Sequence, residues 1–229
     1  MATFVLIHGA FGSPAELAPV IPMLEALGHH SVAVDLPCTD PSATLDDYAR
    51  AVAEVMAEIE GPVVVVGHSA GGATISLVPS RARVDRLVYV TAVVPEPGRS
   101  IVDVVGDGVR ETILSVSRDD GNGCRSFDLE MLASVVPPEQ RDAYLAFLQA
   151  TQRPQGWAAL EQCWPGRSLP DIPYAYVLCT EDNIIPPVKQ REMAARLGVV
   201  PIEIASDHAV FNLQPRELAQ VLAAQVELT

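Results

Sequence analysis

The stretch from Val63 to Gly72 constrains this chain more strongly than any other. Four consecutive valines run directly into the sequence Gly-His-Ser-Ala-Gly, which places Ser69 between two glycines, and small residues follow. A buried strand, a Gly-x-Ser-x-Gly turn and a helix in immediate succession are typical of a nucleophile elbow. The stretch predicts Ser69 as a nucleophile and the backbone N–H of Ala70 as a donor to an oxyanion. The alternative is a glycine-rich turn with an idle serine.

Size, charge and cysteine spacing limit the class of protein. With 229 residues, 49% of them hydrophobic, the chain can build one globular domain with a sizeable core. A formal net charge of −14 disfavours nucleic acid and anionic membrane surfaces as partners. No apolar run approaches the ~18 residues of a membrane span, and the N-terminus has no signal-peptide pattern. The four cysteines are scattered without a Cys-x-x-Cys pair, which predicts no metal site and a reduced, cytoplasmic protein.

Short apolar segments alternate with helical patterns along most of the chain. The predicted strands are Thr3–Ile7, Ser31–Val34, Val63–Val66, Val84–Val90, Tyr174–Leu178 and Val200–Ile204. Six short apolar strands that alternate with helices predict an α/β fold, with a doubly wound, mainly parallel sheet and helices on both faces.

A helix-start signal follows the first strand. Ser13 at the N-cap, Pro14 at the first helical position and Glu16 three residues after the serine predict a capping box. Apolar residues continue at helical spacing to Leu27, and Gly28 ends the pattern. The sequence therefore predicts one continuous helix here.

Residues 95–170 depart from the alternation. Turn-forming residues separate short helical pieces at Ile101–Val105, Phe127–Ser134 and Glu139–Gln149, and no strong strand is visible. A stretch of this length between two strands indicates an insertion. We therefore predict a core of residues 1–94 and 171–229, with a helical insertion of residues 95–170.

A serine nucleophile needs a base within hydrogen-bond reach and a third group that orients the base. In an open α/β sheet the reactive groups gather at the carboxyl ends of the strands. His208 follows the last predicted strand, in a loop that lets it reach Ser69, and is the predicted base. The alternative is a histidine on a surface loop. The other histidines lie at the wrong edge of the sheet or in tight turns near the elbow: His8, His29, His30 and His68.

The acid that orients His208 should follow the preceding strand. Asp182 is the predicted residue and Glu181 is the second choice, because the shorter aspartate suits a tight loop beside an imidazole ring. Asp207 is too close to His208 in sequence to face the same ring. Asp35 also ends a strand, but a turn residue is the simpler interpretation there.

A second oxyanion donor is expected in the loop after the first strand. Gly9 allows the backbone to approach the nucleophile closely, and the N–H of Ala10 is the predicted donor. A plain glycine turn is the alternative.

These motifs resemble the α/β-hydrolase superfamily, and within it the plant-type branch of methylesterases and hydroxynitrile lyases. The resembling segments are Phe4–Ala10, Leu24–His29, Ala33–Leu36, Val66–Gly72, Cys179–Asp182 and Ser206–His208. The resemblance implies a triad of Ser69, Asp182 and His208, with Ala10 and Ala70 as oxyanion donors. It also implies that residues 95–170 form a helical cap over an apolar pocket, and that no cofactor is needed.

Two departures from the plant-type lyases favour ester hydrolysis. The lyases that this chain resembles carry a threonine at the position of Gly9 and a lysine at the position of Ala209. Without the lysine cation, a departing cyanide ion is poorly stabilised. The segment Phe11–Pro14 also differs, so the plant substrates are not carried over. The acidic, alanine-rich composition is typical of a bacterial member.

We therefore expect a serine hydrolase that cleaves carboxylic esters of a small or medium hydrophobic substrate through an acyl-Ser69 intermediate. One alternative is a reaction of the hydroxynitrile lyase type, or another in which Ser69 and His208 act as a base without acylation. A further alternative is a ligand-binding module on a hydrolase scaffold. A small-molecule ester is the expected partner, and the sequence leaves a homodimer open.

Overall fold

A computed structural model describes residues 1–134 and 137–226. Residues 135–136 of the predicted insertion and residues 227–229 of the predicted core lie outside the described residues. The strands in chain order are β1 (Thr3–Ile7), β2 (His30–Val34), β3 (Val63–His68), β4 (Arg86–Val90), β5 (Ser117–Asp119), β6 (Cys124–Phe127), β7 (Gln155–Gly156), β8 (Tyr174–Cys179) and β9 (Ile202–Ile204).

Helices fill most of the chain between the strands. They are α1 (Pro14–Leu17), α2 (Ile21–Ala26), α3 (Leu45–Met56), α4 (Gly71–Ile75), α5 (Ile101–Val105), α6 (Asp107–Ser115), α7 (Leu129–Ala133), α8 (Arg141–Thr151), α9 (Ala158–Glu161), α10 (Pro187–Arg196), α11 (Val210–Leu213) and α12 (Pro215–Ala224). Short 3-10 turns cover Ala18–Val20, Val78–Ser80 and Pro138–Gln140. None of the helices in the described ranges is long and apolar enough to cross a membrane.

Within the described residues the main sheet has six strands in the order β2-β1-β3-β4-β8-β9, and every neighbouring pair is parallel. Successive residues of a strand face opposite sides of the sheet. Val5 and Ile7 of β1 therefore join the hydrophobic core on one face, while Phe4 and Leu6 join the core on the other. Helices cover both faces, which explains why the central strands β1 and β3 are almost entirely apolar. The arrangement confirms the predicted fold class.

The single helix predicted after β1 is interrupted in the structure. A 3-10 turn separates α1 from α2, where the sequence pattern predicted a continuous helix. Pro19 and Pro22 explain the interruption, because proline has no N–H to donate to the carbonyl four residues earlier. Gly28, with a φ of 82°, follows the end of α2 as the sequence predicted.

The capping box predicted at the start of α1 is wrong. Ser13 is the N-cap residue, but its hydroxyl makes no capping hydrogen bond. The Glu16 carboxylate does not reach back to the backbone of Ser13; it accepts a hydrogen bond from the N–H of Gly9, in the loop after β1. Glu16 is thereby directed toward the sheet edge where the predicted site residues lie.

The region between β4 and β8 contains more than helices. Besides α5 to α9 it holds a three-stranded antiparallel sheet, β5-β6-β7, which the sequence analysis did not predict. These strands are short and largely polar, so they lack the apolar run that identifies a buried strand. The region is attached to the main fold by the Gly156 N–H, which donates to the Cys38 carbonyl at 2.7 Å, and by the Trp164 indole N–H, which donates to the Ala73 carbonyl at 3.1 Å. The boundaries of residues 95–170 as a cap stay a prediction.

Gly71 brings α4 into contact with β1, and we expect an alanine there to destabilise the fold. A Cβ at this position would lie 2.6 Å from the carbonyl oxygen of His8 and 3.0 Å from that of Ile7. Overpacking against backbone lowers the free energy of unfolding by about 1–3 kcal/mol, measurable by urea denaturation. Gly108→Ala in α6 is the control, because a Cβ there meets no atom within 4 Å. Equal stabilities for both variants would contradict the packing argument.

Candidate active site

Ser69 lies in a sharp turn between β3 and α4. Its φ of 52° falls in the left-handed region, which costs a residue with a side chain about 1–3 kcal/mol. Two backbone hydrogen bonds, to the end of β4 and to the segment that follows it, hold this conformation. The N–H of Ser69 donates to the Val90 carbonyl at 3.3 Å, and the N–H of Val93 donates to the Ser69 carbonyl at 2.9 Å. The turn thus places Ser69 at the carboxyl end of β3.

The loop after β1 packs directly against Ser69. A Cβ at Gly9 would come within 2.8 Å of the Ser69 Cβ, so this close approach requires glycine. Ala10, the next residue, lines the same pocket as Ala70. Within the part of the chain that the structure describes, neither of their backbone N–H groups donates to a protein acceptor. Both donors are therefore free to bind an oxygen of a ligand beside the serine.

Asp182 and His208 form a hydrogen-bonded pair at the same edge of the sheet. The Nδ1 of His208 lies 2.7 Å from the Oδ2 of Asp182, and the aspartate side chain is fully buried. No hydrogen bond joins the Ser69 hydroxyl to the His208 ring in this arrangement. The ring of His68, the residue before Ser69, lies beside the His208 ring, with 4.8 Å between the ring centres. The structure thus brings the predicted acid and base together and places them next to the elbow.

Several donors converge on the Asp182 carboxylate. Its Oδ1 accepts hydrogen bonds from the N–H groups of Ile184 and Ile185 at 2.7 and 2.9 Å. Burial alone raises the pKa of Asp182, but the hydrogen bond and the charge of His208, together with the Thr91 hydroxyl, outweigh it and lower the pKa below its usual range. The carboxylate therefore stays ionised and fixes the orientation of the His208 ring.

Two partners of Asp182 were not found by the sequence analysis. The hydroxyl of Thr91 donates to Oδ2, and the Nε2 of Gln190 lies 3.2 Å from the same oxygen. Thr91 directly follows β4 with a φ of 38°, so the rule that site residues gather at the carboxyl ends of strands could have identified it. Gln190 lies within α10, and no local pattern marks it.

The competing titratable groups are engaged elsewhere. The Nδ1 of His8 lies 2.9 Å from the Gly9 carbonyl, and its Nε2 accepts from the Leu36 N–H at 3.3 Å. Burial lowers the pKa of His8, which keeps it neutral. Asp35 pairs with Arg153 at 2.6 Å. In the described ranges, no group of three His, Cys, Asp or Glu residues could hold a metal ion.

The pocket beside Ala10 and Ala70 is mainly apolar. Residues of the main fold and of the region between β4 and β8 contribute to its wall: Leu36, Cys38, Leu45, Tyr48, Ile101, Gln155 and Leu160. The polar side chains among them satisfy each other, since the Nε2 of Gln155 donates to the Tyr48 hydroxyl at 3.0 Å. The wall next to the N–H groups of Ala10 and Ala70 is therefore apolar.

Comparisons with known proteins find matches over nearly the whole chain. Residues 4–221 match the model of the Alpha/beta hydrolase family. A pyrethroid hydrolase of Sphingobium wenxiniae is 31% identical over 242 residues, which cover 96% of this chain and 85% of the relative. Methylesterase 2 of Arabidopsis thaliana is 28% identical, with coverages of 96% and 94%. The crystal structure of a pyrethroid hydrolase from Sphingobium faniae superposes with a TM-score of 0.81 at 27% identity and covers 99% of this chain and 98% of that one.

Thr91→Val tests how far the Asp182 network controls His208, the predicted base. The variant keeps the shape of the side chain and removes one donor to a buried carboxylate, a bond worth about 1.5–3 kcal/mol. We expect kcat for an ester substrate to fall about 10-fold with KM unchanged. Thr151→Val is the matched control, because this buried hydroxyl donates to the Phe147 carbonyl within α8. A Thr91→Val enzyme with the kcat of the wild type would show that Asp182 needs no such support.

Proposed function

We propose that this chain, which belongs to the Alpha/beta hydrolase family, cleaves carboxylic esters through an acyl intermediate on Ser69. Its relatives are esterases and hydrolases over nearly the full length of the chain, and it is a carboxylesterase-type enzyme. One observation carries the serine mechanism. The strained Ser69, the Asp182–His208 pair and two N–H groups that have no acceptor among the described residues meet at one edge of the sheet.

Acylation begins when Ser69 attacks the ester carbonyl carbon. His208 accepts the hydroxyl proton at Nε2, because Asp182 holds the other ring nitrogen as a donor. The carbonyl oxygen becomes an oxyanion, to which the N–H groups of Ala10 and Ala70 donate, each worth about 3 kcal/mol. As the tetrahedral intermediate collapses, His208 returns the proton to the leaving alcohol and the acyl group stays on Ser69.

Deacylation repeats the steps with water as the nucleophile. His208 removes a proton from a water molecule, which attacks the acyl carbonyl while the same two N–H groups bind the oxyanion. Collapse of this second intermediate releases the acid and restores the Ser69 hydroxyl with the proton from His208. Asp182 stabilises the imidazolium that forms in each half of the cycle.

The proposed substrate is a small or medium hydrophobic ester. The apolar wall of the pocket beside Ala10 and Ala70 supports a hydrophobic group on the substrate. Because two relatives are a pyrethroid hydrolase and a methylesterase, pyrethroid esters and methyl esters are the first compounds to assay. We also propose a cytoplasmic location, which the four free cysteines support.

Ser69→Ala tests the nucleophile. We expect turnover of p-nitrophenyl acetate to fall by at least about 10⁴-fold and labelling by a fluorophosphonate probe to disappear. Alanine has no hydroxyl oxygen to which the acyl group or the probe could bond. Ser206→Ala is the control, because its buried hydroxyl has no hydrogen-bond partner among the described residues and lies in the His208 loop. Its activity should equal that of the wild type. Turnover that survives in Ser69→Ala would overturn the assignment.

A comparison of esters with a cyanohydrin separates hydrolysis from lyase chemistry. Gly9 and Ala209 offer no hydroxyl or cation for a departing cyanide. We therefore expect hydrolysis of p-nitrophenyl acetate and no cyanide release from mandelonitrile above the rate in buffer. Cyanide release without ester hydrolysis would contradict the proposed reaction.

A further inference from the structure

A buried ion pair lies beside the proposed catalytic residues and takes no part in the reaction described above. The Oε1 of Glu16 is 3.0 Å from the Nδ1 of His68, and the two side chains are 11% and 9% exposed. His68 immediately precedes Ser69, whereas Glu16 comes from α1. Burying two charges costs several kcal/mol, so the contacts that this pair makes need an explanation.

The pair connects three loops that carry site residues. The same Oε1 of Glu16 accepts a hydrogen bond from the N–H of Gly9 at 3.2 Å. At the other end, the Nε2 of His68 donates to the carbonyl oxygen of His208 at 3.0 Å. One continuous series of hydrogen bonds therefore runs from the loop after β1, through the elbow, to the loop of the catalytic histidine.

The contacts and the pKa directions of this series agree on its charge. With Glu16 ionised, both ring nitrogens of His68 face acceptors, a carboxylate and a carbonyl, so both carry protons. Burial lowers the pKa of His68, but the hydrogen bond and charge of Glu16 more than reverse this effect and raise it. Burial raises the pKa of Glu16, but the hydrogen bonds from His68 and Gly9 outweigh burial and lower this pKa below its usual range. The pair is thus an imidazolium held by a carboxylate.

The surroundings of Glu16 leave room for its carboxylate and hold its backbone. A Cβ at Gly12 would lie 2.4 Å from the Oε2 of Glu16, so a side chain there would occupy the space of the carboxylate. The Nδ2 of Asn212, in α11, donates to the Glu16 carbonyl at 3.0 Å. Meanwhile the hydroxyl of Ser13, the expected capping partner, has no partner in the described part of the chain.

We propose that Glu16 is a positioning residue for ester hydrolysis, an inference that rests on the proposed function. Through Gly9 it fixes the residue before the oxyanion donor Ala10, and through His68 it fixes the backbone of His208. The distance from Ser69 to the donor and the distance from Ser69 to the base thereby stay constant throughout the cycle. Misplacement of reacting groups by about 1 Å can cost 10²-fold in rate, so loosening either loop lowers kcat.

Two variants of Glu16 separate positioning from stability and from charge. Glu16→Leu removes both hydrogen bonds at similar volume, and we expect kcat to fall at least about 10-fold with KM within about twofold. Glu16→Gln removes the negative charge but, with its amide oxygen in the place of Oε1, keeps one acceptor for both the Gly9 N–H and the Nδ1–H of His68. We expect it to retain kcat within about threefold. Melting temperature and circular dichroism confirm that each variant is folded.

The assay includes the wild type and Ser69→Ala, so two failures can be told apart. If the wild type does not hydrolyse the ester, or if Ser69→Ala hydrolyses it as fast as the wild type, the proposed function is wrong and this inference fails with it. With that function intact, a folded Glu16→Leu enzyme whose kcat equals the wild type, or whose loss lies in KM, overturns the positioning role. So does a Glu16→Gln enzyme as slow as Glu16→Leu.

If Glu16→Leu does not fold, His68→Asn serves in its place. Asparagine can still contact Glu16 from the position of Nδ1 but is too short to reach the His208 carbonyl. We expect kcat to fall at least about 10-fold with KM unchanged, and fluorophosphonate labelling of Ser69 to slow by the same factor. An unchanged labelling rate in folded His68→Asn would contradict the proposal.

Discussion

The left-handed backbone conformation of Ser69 is the constraint on which the site depends. Nothing in the serine itself favours a φ of 52°, so the surrounding structure must stabilise it. Hydrogen bonds to the end of β4 and to the segment that follows it hold the turn, and glycines at positions 9 and 71 let the loop after β1 and the start of α4 come close. The same contacts that maintain the strain bring the proposed oxyanion donors to the proposed nucleophile.

Two buried carboxylates then hold two histidines, each through its Nδ1. Asp182 binds the ring of His208, and Glu16 binds the ring of His68. The proposed roles differ: the first pair acts on the reacting atoms, while the second connects the loops around them. Backbone and side-chain donors surround Asp182 and stabilise its charge, so in the proposed reaction the imidazolium forms beside dipoles that are already oriented.

The sequence predicted the fold class and the contact between Asp182 and His208. Short apolar strands can be recognised from local sequence, and in a parallel sheet the residues that follow each strand meet at one edge. It did not predict the role of Glu16. The Ser-x-x-Glu spacing indicated a local capping box, and the competing partners, Gly9 and His68, are set by tertiary packing. Gln190 was missed for the same reason. The polar strands β5 to β7 gave no apolar signal, so residues 95–170 were expected to be helical only.

The acyl-enzyme itself provides the most direct test. The wild type is mixed with excess p-nitrophenyl acetate, quenched in acid within milliseconds to seconds, and digested for mass spectrometry. If the account is right, a burst of p-nitrophenol accompanies one acetyl group on the peptide that contains Ser69, and the modification disappears as substrate is exhausted. Steady hydrolysis with no acetyl group on Ser69 at any time would contradict the central claim.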